Sequence, residues 1–202
     1  MIKSILILVV FSIFGFKPID KTLTKQERDF AIQYMEQTRD ALIKDVKGLS
    51  AAQINFKADS TRWSVAQCVE HIALAEAALS MVVQISLKSP ADPTRRDSIH
   101  FTDEQVMNIL TDRSRKFNAP EMLRPVGTFG TMQVALDSFV ARRNRNIEFV
   151  KTTQDDLRDH YFQNPGLGTI DDYQVILFMT AHSKRHTLQL EEVKASPNFP
   201  KN

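Results

Sequence analysis

The sequence predicts an all-α fold in which four long helices form one bundle and a long crossover joins the second helix to the third. The main observation is a capping-box pattern, in which a Ser or Thr caps a helix start and a residue three positions later bonds back to it. The pattern occurs at Thr24 with Glu27, Ser64 with Gln67, Thr102 with Gln105, and Thr169 with the less typical partner Asp172. Each pair precedes apolar residues at helical spacing, and no segment shows sustained strand alternation.

The first two helices are predicted from their start and stop signals. The first begins at Thr24 and ends near Gly48, a residue type that commonly ends helices in the left-handed conformation. The second runs from Ser64 to about Leu87 and ends before Pro90. The short link between them predicts that these two helices pack as antiparallel neighbours.

A long connection separates the first pair of helices from the second pair. From Ser89 to Gly130 the chain is rich in Pro, Asp, Arg and Gly, with only a short helical candidate from Thr102 to about Phe117. The third long helix is predicted from Thr131 to about Thr153, and the fourth follows the breaking segment 164–168 and runs from Thr169 to about Lys194. A short link makes helices three and four antiparallel neighbours, whereas the long crossover allows helices two and three to run parallel. Helices two and four are then antiparallel, and the bundle runs up-down-down-up.

The composition indicates one globular domain and argues against some classes of partner. Hydrophobic residues make up 43% of the 202 residues and charged residues 25%, values typical of globular domains. The 26 basic and 24 acidic residues nearly balance, and no basic stripe interleaved with aromatics is present, which argues against a nucleic-acid partner. The single cysteine, Cys68, cannot form an internal disulfide, so packing must supply the stability.

The first residues of the chain predict export. An apolar run from Ile5 to Phe16 follows a lysine and precedes a Lys-Pro pair. Its length is that of a secretory signal peptide and falls short of the roughly 20 apolar residues of a transmembrane helix. We therefore expect residues 1–20 to be a signal peptide, residues 21–202 to form the bundle, and the protein to be periplasmic or extracellular. Because no clean pair of small residues marks a cleavage site, an uncleaved membrane anchor is the alternative.

Three histidines form a candidate metal site. His182 and His186 are four residues apart, so on a helix they lie on one face, one turn apart, and could bind one metal ion. His71 lies about 10 Å from the start of the second helix at ~1.5 Å per residue, and antiparallel packing brings it level with the other two. Ala75 and Ala78 follow His71 on its face and could leave a cavity there. Three neutral imidazoles leave positions open for water or substrate, as in catalytic sites. The alternative is that hydrogen bonds in the core satisfy these histidines.

Two segments resemble the metal-binding signatures of the DinB-like superfamily. Residues 63–72, WSVAQCVEHI, are similar to its second-helix signature, in which the first metal histidine follows a Trp by eight positions and a capping Ser or Thr precedes it. Residues 182–189, HSKRHTLQ, resemble its fourth-helix signature, in which two histidines supply the other ligands and a Gln often follows. The resemblance covers residues 25–194. It implies a four-helix bundle with one divalent ion, zinc, nickel or manganese, bound by His71, His182 and His186.

Several residues beside the histidines are candidates for supporting the site. Gln67 lies one turn before the first histidine and could bond to a metal-bound water, although its capping role explains it equally well. Arg185 and Gln189 flank the ligand face and could orient a ligand, while a solvated arginine is an equal alternative. Cys68 is expected to be a small buried hydrophobe rather than a ligand or nucleophile. Glu70 is turned about 100° from the first histidine around the helix, so a general-base role would need unusual geometry.

The resemblance implies enzymes in which a metal activates a nucleophile. Such relatives are thiol-dependent transferases and isomerases, alongside metal-dependent hydrolases, and the metal lowers the pKa of a bound thiol or water. Because low-molecular-weight thiols are kept reduced in the cytosol, an exported protein would meet little of them, so we rank a hydrolase acting on a small molecule above a thiol-dependent transferase. A non-catalytic metal- or ligand-binding bundle and a purely structural bundle are the alternatives. A homodimer is compatible with the sequence.

Overall fold

The structure of the protein, a computed structural model, describes residues 22–201, so the predicted signal peptide over residues 1–20 lies outside the described residues. Six α-helices and two β-strands follow one another in the described range. They are α1 (Lys25–Val46), α2 (Ala51–Asn55), α3 (Val65–Ser86), α4 (Asp103–Thr111), α5 (Met132–Thr152), β1 (Tyr161–Asn164), β2 (Gly168–Asp171) and α6 (Asp172–Lys194). Two short 3₁₀ helices, Pro93–Ser98 and Glu121–Leu123, lie in the crossover.

Three of the four predicted capping boxes form. The hydroxyl groups of Thr24, Ser64 and Thr102 each accept a hydrogen bond from the third following backbone N–H, and the side chain at that third position accepts one from the cap. At the start of α5, Thr131 accepts a bond from the N–H of Val134. These bonds satisfy backbone donors that have no partner inside a helix. The structure thereby confirms α1, α3 and α5 close to their predicted ranges.

The fourth predicted capping box is wrong. Thr169 lies in β2, which pairs antiparallel with β1, and the breaking segment 164–168 supplies the turn between them. The last helix begins after Asp171, whose carboxylate accepts a bond from the N–H of Gln174 at 2.7 Å. The hairpin left no alternation signal because each strand is only four residues long.

The directions of α3 and α6 determine where the histidines lie. Ser86, at the end of α3, donates a hydrogen bond to Asp172 at the start of α6. His71, in the first third of α3, lies beside His182 near the middle of α6. The two helices are therefore antiparallel, as predicted.

The other long helices complete the predicted up-down-down-up order. Glu76 pairs with Arg143, and further along α3 Ser80 accepts a bond from Asn146, so α3 and α5 run parallel. Arg28, near the start of α1, donates to backbone carbonyl oxygens near the end of α5, so these two helices are antiparallel. Consecutive long helices thus run up, down, down and up.

The predicted helix neighbours need a correction. Both α1 and α3 pack on α5 and α6, so α1 and α3 lie diagonally across the bundle instead of side by side, and α5 and α6 do the same. The link between α1 and α3 contains the short helix α2, whose capping box at Ser50 and Gln53 was not predicted. This link is long enough to cross one end of the bundle. Link length therefore predicts the directions of the helices but not which helices touch.

The core between the four long helices contains mainly aliphatic side chains and one buried ion pair. Fully buried apolar residues include Met35, Leu42, Ile72, Phe139, Leu177 and Leu190. Arg143 and Glu76 are both 0% exposed and their charged groups are 2.7 Å apart. Arg143 also donates to Thr38 of α1 and to Ser183 of α6, so one guanidinium group joins all four long helices.

The crossover is fastened to the bundle near the histidines. Its helix α4 packs on α6 and ends at Thr111 rather than near Phe117. Arg185 of α6 donates to the carbonyl oxygens of Leu110 and Asp112, which stabilises the end of α4 where carbonyl groups lack helical partners. The chain that follows α4 then reaches the histidine cluster, where the carbonyl oxygen of Leu123 accepts a bond from His71.

Candidate metal centre

The three predicted histidines meet at one level of the bundle. His71 comes from α3, and His182 and His186 come from successive turns of α6. One ligand atom from each histidine lies within 4.8 Å of the other two. The Nε2 atoms of His71 and His182 are 3.2 Å apart. The antiparallel packing of α3 and α6 produces this convergence.

Two of these imidazoles are held by hydrogen bonds from their Nδ1–H groups, which face away from the point where the three rings converge. Nδ1–H of His71 donates to the carbonyl oxygen of Leu123 at 2.7 Å, and Nδ1–H of His186 donates to Oε1 of Gln189 at 2.8 Å. Because these oxygens only accept, each Nδ1 carries the proton and each Nε2 presents a lone pair. Bonds of this kind orient metal-ligating histidines and raise their basicity.

Burial keeps the three imidazoles neutral. Loss of solvent lowers the pKa of His71, and burial together with the neighbouring imidazoles holds the pKa values of His182 and His186 well below the usual range. A neutral imidazole is the form that binds a metal ion. The cluster can therefore accept a cation at neutral pH without first losing protons.

Aromatic rings pack against the histidine cluster. The ring centroid of Trp63 is 4.7 Å from that of His71 and 5.7 Å from that of His186. Phe178 stacks on His182 with a centroid distance of 6.2 Å and an interplanar angle of 12°. These contacts restrict the orientations of the imidazoles and shield part of the cluster from water.

The donor set fits a divalent metal ion. Nitrogen ligands about 2.0 to 2.1 Å from a tetrahedral zinc ion are about 3.3 Å apart, close to the 3.2 Å between Nε2 of His71 and Nε2 of His182. Imidazole ligands suit zinc and nickel, whereas manganese prefers oxygen ligands and fits this set less well. Within residues 22–201, this is the only group of three or more His, Cys, Asp or Glu side chains with suitable spacing for a metal.

The three candidate supporting residues take different positions. Gln189 accepts the bond from His186. Gln67 completes a capping box, because its Oε1 accepts a bond from the N–H of Ser64 at 3.1 Å. Arg185 donates to backbone carbonyl oxygens of the crossover, and its guanidinium carbon lies 4.9 Å from the ring centroid of Phe117. Of the three, Gln189 is the one that bonds to a histidine.

Glu70 and Cys68 have structural roles beside the centre. The carboxylate of Glu70 accepts bonds from the backbone N–H groups of Val126, Gly127 and Thr128, and so fastens the crossover to α3. Cys68 is fully buried, and burial raises the pKa of its thiol to about 12. A thiol with such a pKa remains protonated at neutral pH and is suited to the core rather than to metal binding.

Two parts of the site could not be found from the sequence. The acceptor for His71 is the backbone carbonyl of Leu123, and a backbone group leaves no signature in residue type. The cleft that touches the cluster lies between the crossover and α6, has a volume of about 720 Å³ and is lined by His186. It does not lie beside Ala75 and Ala78, where the small side chains had indicated a cavity. Long connections form many binding surfaces that carry no motif.

A helical bundle in which two antiparallel helices bring three neutral imidazoles together defines a candidate mononuclear metalloprotein. The family model of the DinB superfamily matches residues 34–190, most of the chain, and the chain belongs to that superfamily. The match confirms the resemblance carried by the two histidine segments.

Two Bacillus subtilis proteins are similar to this chain. The uncharacterized protein YuaE of strain 168 is 25% identical over 151 residues, which cover 74% of this chain and 88% of YuaE. The solved structure of YfiT matches with a TM-score of 0.58 at 19% identity and covers 90% of this chain and 93% of YfiT. YfiT is described as a probable metal-dependent hydrolase with an unusual four-helix bundle topology. At this identity the likeness shows the fold.

Proposed function

We propose that this protein binds one divalent metal ion through His71, His182 and His186 and uses it to hydrolyse a small molecule. The observation that carries the proposal is that the Nδ1–H groups of His71 and His186 are hydrogen-bonded outward while the ligand atoms of all three rings converge. Histidines that served only the core would be expected to pair each buried nitrogen with a separate protein group. The description of YfiT as a probable metal-dependent hydrolase supports the same proposal.

The proposed chemistry divides between the ion and the chain. A divalent ion held by three imidazoles supplies Lewis-acid chemistry and brings the pKa of water near 7, so that a nucleophile is available at neutral pH. Leu123 and Gln189 fix two of the imidazoles, and Trp63 shields them from bulk solvent. The cleft at His186 admits the substrate.

Two other functions compete with hydrolysis. A thiol-dependent transferase would use the same histidines with a low-molecular-weight thiol in place of water. We rank it second because the apolar N-terminal run predicts export to a compartment with little reduced thiol. A non-catalytic metal- or ligand-binding bundle would take up the ion and show no turnover.

Metal-dependent turnover tests the proposal. Zinc, nickel or manganese is added to metal-free protein, and hydrolysis of a panel of small esters, amides and phosphoesters is followed with and without an added thiol. We expect turnover that requires the metal and is lost in His182→Ala and His186→Ala. His100→Ala removes an exposed crossover histidine and serves as the matched control that keeps activity. Turnover only with a thiol would favour the transferase, and metal uptake without turnover would favour the non-catalytic bundle.

We also propose that the protein is exported, on the basis of the apolar run from Ile5 to Phe16. Cell fractionation followed by N-terminal sequencing should find mature protein that begins between Phe16 and Asp20 outside the cytosol. Intact protein in the membrane fraction would indicate the uncleaved anchor. Intact protein in the cytosol would contradict export and place the thiol-dependent transferase first.

A further inference from the structure

The cleft beside the histidine cluster is formed by three parts of the chain. One wall is the crossover, with residues 113, 115–119 and 124–126, and the opposite wall is α6, including His186 and Gln189. The segment just before α3, which contains Trp63, closes a third side. The volume of about 720 Å³ lies in the range of roughly 300 to 1,000 Å³ that is usual for small-molecule sites.

Positive charge dominates this cleft. Six cationic side chains and two acidic side chains line it. The cations are Arg62, Arg113, Arg115, Lys116, Arg124 and Arg185, and the acids are Asp59 and Glu192. The whole chain has a net charge of only +2, so this excess of positive charge is a local feature of the cleft.

The two acids neutralise only two of the cations. Arg62 pairs with Asp59 at 3.0 Å, and Arg113 binds both carboxylate oxygens of Glu192 at 2.9 Å. Three lining cations form no ion pair with any side chain of residues 22–201. They are Arg115, Lys116 and Arg124.

Two further charged groups near the cleft are engaged with the chain itself. Arg185 donates to the carbonyl oxygens of Leu110 and Asp112 and so holds the crossover in place. The carboxylate of Asp112 accepts bonds from the N–H and the hydroxyl of Ser114. These bonds and the nearby charges of Arg115 and Arg185 lower the pKa of Asp112, but it forms no ion pair with Arg115 and does not line the cleft. The three cations without ion pairs therefore remain available to a ligand.

Apolar side chains share the cleft with these cations. Phe117 is 55% exposed and Val126 is 81% exposed, and the ring of Trp63 lies nearly parallel to that of His186 at an angle of 28°. Exposed apolar groups in a concave site usually contact the apolar part of a ligand. The combination predicts a ligand with an anionic group and an apolar or aromatic body.

We propose that the substrate of this centre is a small organic anion whose carboxylate or phosphate group is bound by Arg115, Lys116 and Arg124. Guanidinium and ammonium groups form strong charge-assisted hydrogen bonds to such oxygens. The cations are confined to one small-molecule cleft, whereas a nucleic acid would need a basic surface along its backbone. The inference rests on the proposed function because it names the substrate class of that centre, yet the anion site itself consists of protein groups alone.

Calorimetric titration of metal-free protein tests the anion site. The probes are phthalate and phenylphosphonate, two aromatic dianions, and benzamide, a neutral aromatic compound of similar size. The test variant carries Arg115→Gln, Lys116→Gln and Arg124→Gln. The control variant carries Lys47→Gln, Lys88→Gln and Arg145→Gln, which removes three exposed cations outside the cleft and changes the net charge equally.

We expect both dianions to bind wild type and control with similar affinity and to bind the test variant at least about tenfold more weakly. Benzamide should bind wild type weakly, and added salt should weaken dianion binding because it screens the exposed cations. Equal affinity of test and control variants, or no binding of either dianion to wild type, would overturn the inference. Tighter binding of a single-stranded oligonucleotide than of the dianions, lost in the test variant, would overturn it in favour of nucleic acid.

Zinc uptake by the same three proteins separates this inference from the proposed function. All three should bind zinc equally, because none of the substitutions touches a ligand histidine. Dianion binding to a wild type that takes up no zinc would refute the metal centre and leave the anion site standing. Zinc uptake and metal-dependent turnover without dianion binding would refute the anion site alone.

Discussion

At the scale of residues, the orientation of an imidazole in the cluster depends on the group that accepts a hydrogen bond from its Nδ1–H. For His71 that group is a backbone carbonyl, which substitution of a side chain does not remove. For His186 it is the side chain of Gln189, three residues further along α6. Substitution of Gln189 can therefore remove a hydrogen-bond acceptor of the cluster without changing any of the three histidines.

Removing the Gln189 acceptor should weaken metal binding while the fold persists. We expect Gln189→Leu to reduce zinc affinity roughly 10- to 100-fold, because the partner of the outer nitrogen orients the ligand. Gln189→Glu keeps an acceptor at this position and should lose less zinc affinity than Gln189→Leu. The measurement is a competition titration against a chromophoric zinc chelator, with the exposed Gln133→Leu as control. Equal zinc affinity of Gln189→Leu and Gln133→Leu would contradict the supporting role.

The convergence of the three histidines could be predicted from the sequence, but their hydrogen-bond partners only in part. His182 and His186 lie four apart on one helix, His71 follows a capping box, and Gln189 lies on the same helix as the histidine that it holds. These are local relations, which residue spacing reveals. The Leu123 carbonyl lies 52 residues from His71 along the chain, and only the folded crossover brings the two together.

At the scale of elements, features that depend on residues close together in the sequence could be predicted, whereas features that depend on contacts between distant segments could not. The capping boxes at Thr24, Ser64 and Thr102 depend on residues three apart, and all three form. The hairpin and the diagonal placement of α1 and α3 depend on contacts between distant segments. Thr169 is not a cap because it pairs with β1, while Asp171 supplies a carboxylate for the start of α6.

The buried pair between α3 and α5 should be important for stability. We expect Arg143→Met to lower the free energy of unfolding by about 3 to 5 kcal/mol, because it leaves the carboxylate of Glu76 buried without its cation. The double variant Glu76→Leu/Arg143→Met removes both charges and should lower the free energy of unfolding less than Arg143→Met alone. Urea denaturation measures both, with the exposed Arg145→Met as control. A cost for Arg143→Met no larger than that of Arg145→Met would rule out this role.

The attachment of the crossover to α3 should depend on Glu70. In Glu70→Ala the backbone amides of residues 126–128 lose their carboxylate acceptor, so we expect them to exchange hydrogen with solvent at least about tenfold faster. Zinc affinity should also fall, because the same crossover carries the Leu123 carbonyl. Hydrogen–deuterium exchange and zinc titration test this, with the exposed Glu104→Ala as control. Exchange as slow as in Glu104→Ala would show that other contacts hold the crossover.

At the scale of the whole molecule, the bundle should fold without its metal. Two apolar clusters and the Arg143 network join the four long helices independently of the histidines. Treatment with a chelator should therefore leave the helical circular dichroism signal and a cooperative melt. Zinc should add only the stabilisation given by mass action, about 2.7 kcal/mol at a hundredfold excess over the dissociation constant. Unfolding of the wild type by the chelator would instead make the metal a structural element, as in small zinc domains.

X-ray absorption at the zinc edge measures the ligands of the bound ion directly. For zinc-loaded protein we predict nitrogen or oxygen neighbours at about 2.0 to 2.1 Å with the outer-shell scattering of three imidazoles, and no sulfur at about 2.3 Å. His182→Ala should lose one imidazole contribution, and His100→Ala should give the wild-type spectrum. A sulfur neighbour from Cys68, or an imidazole signal that His182→Ala leaves unchanged, would contradict a centre built from His71, His182 and His186.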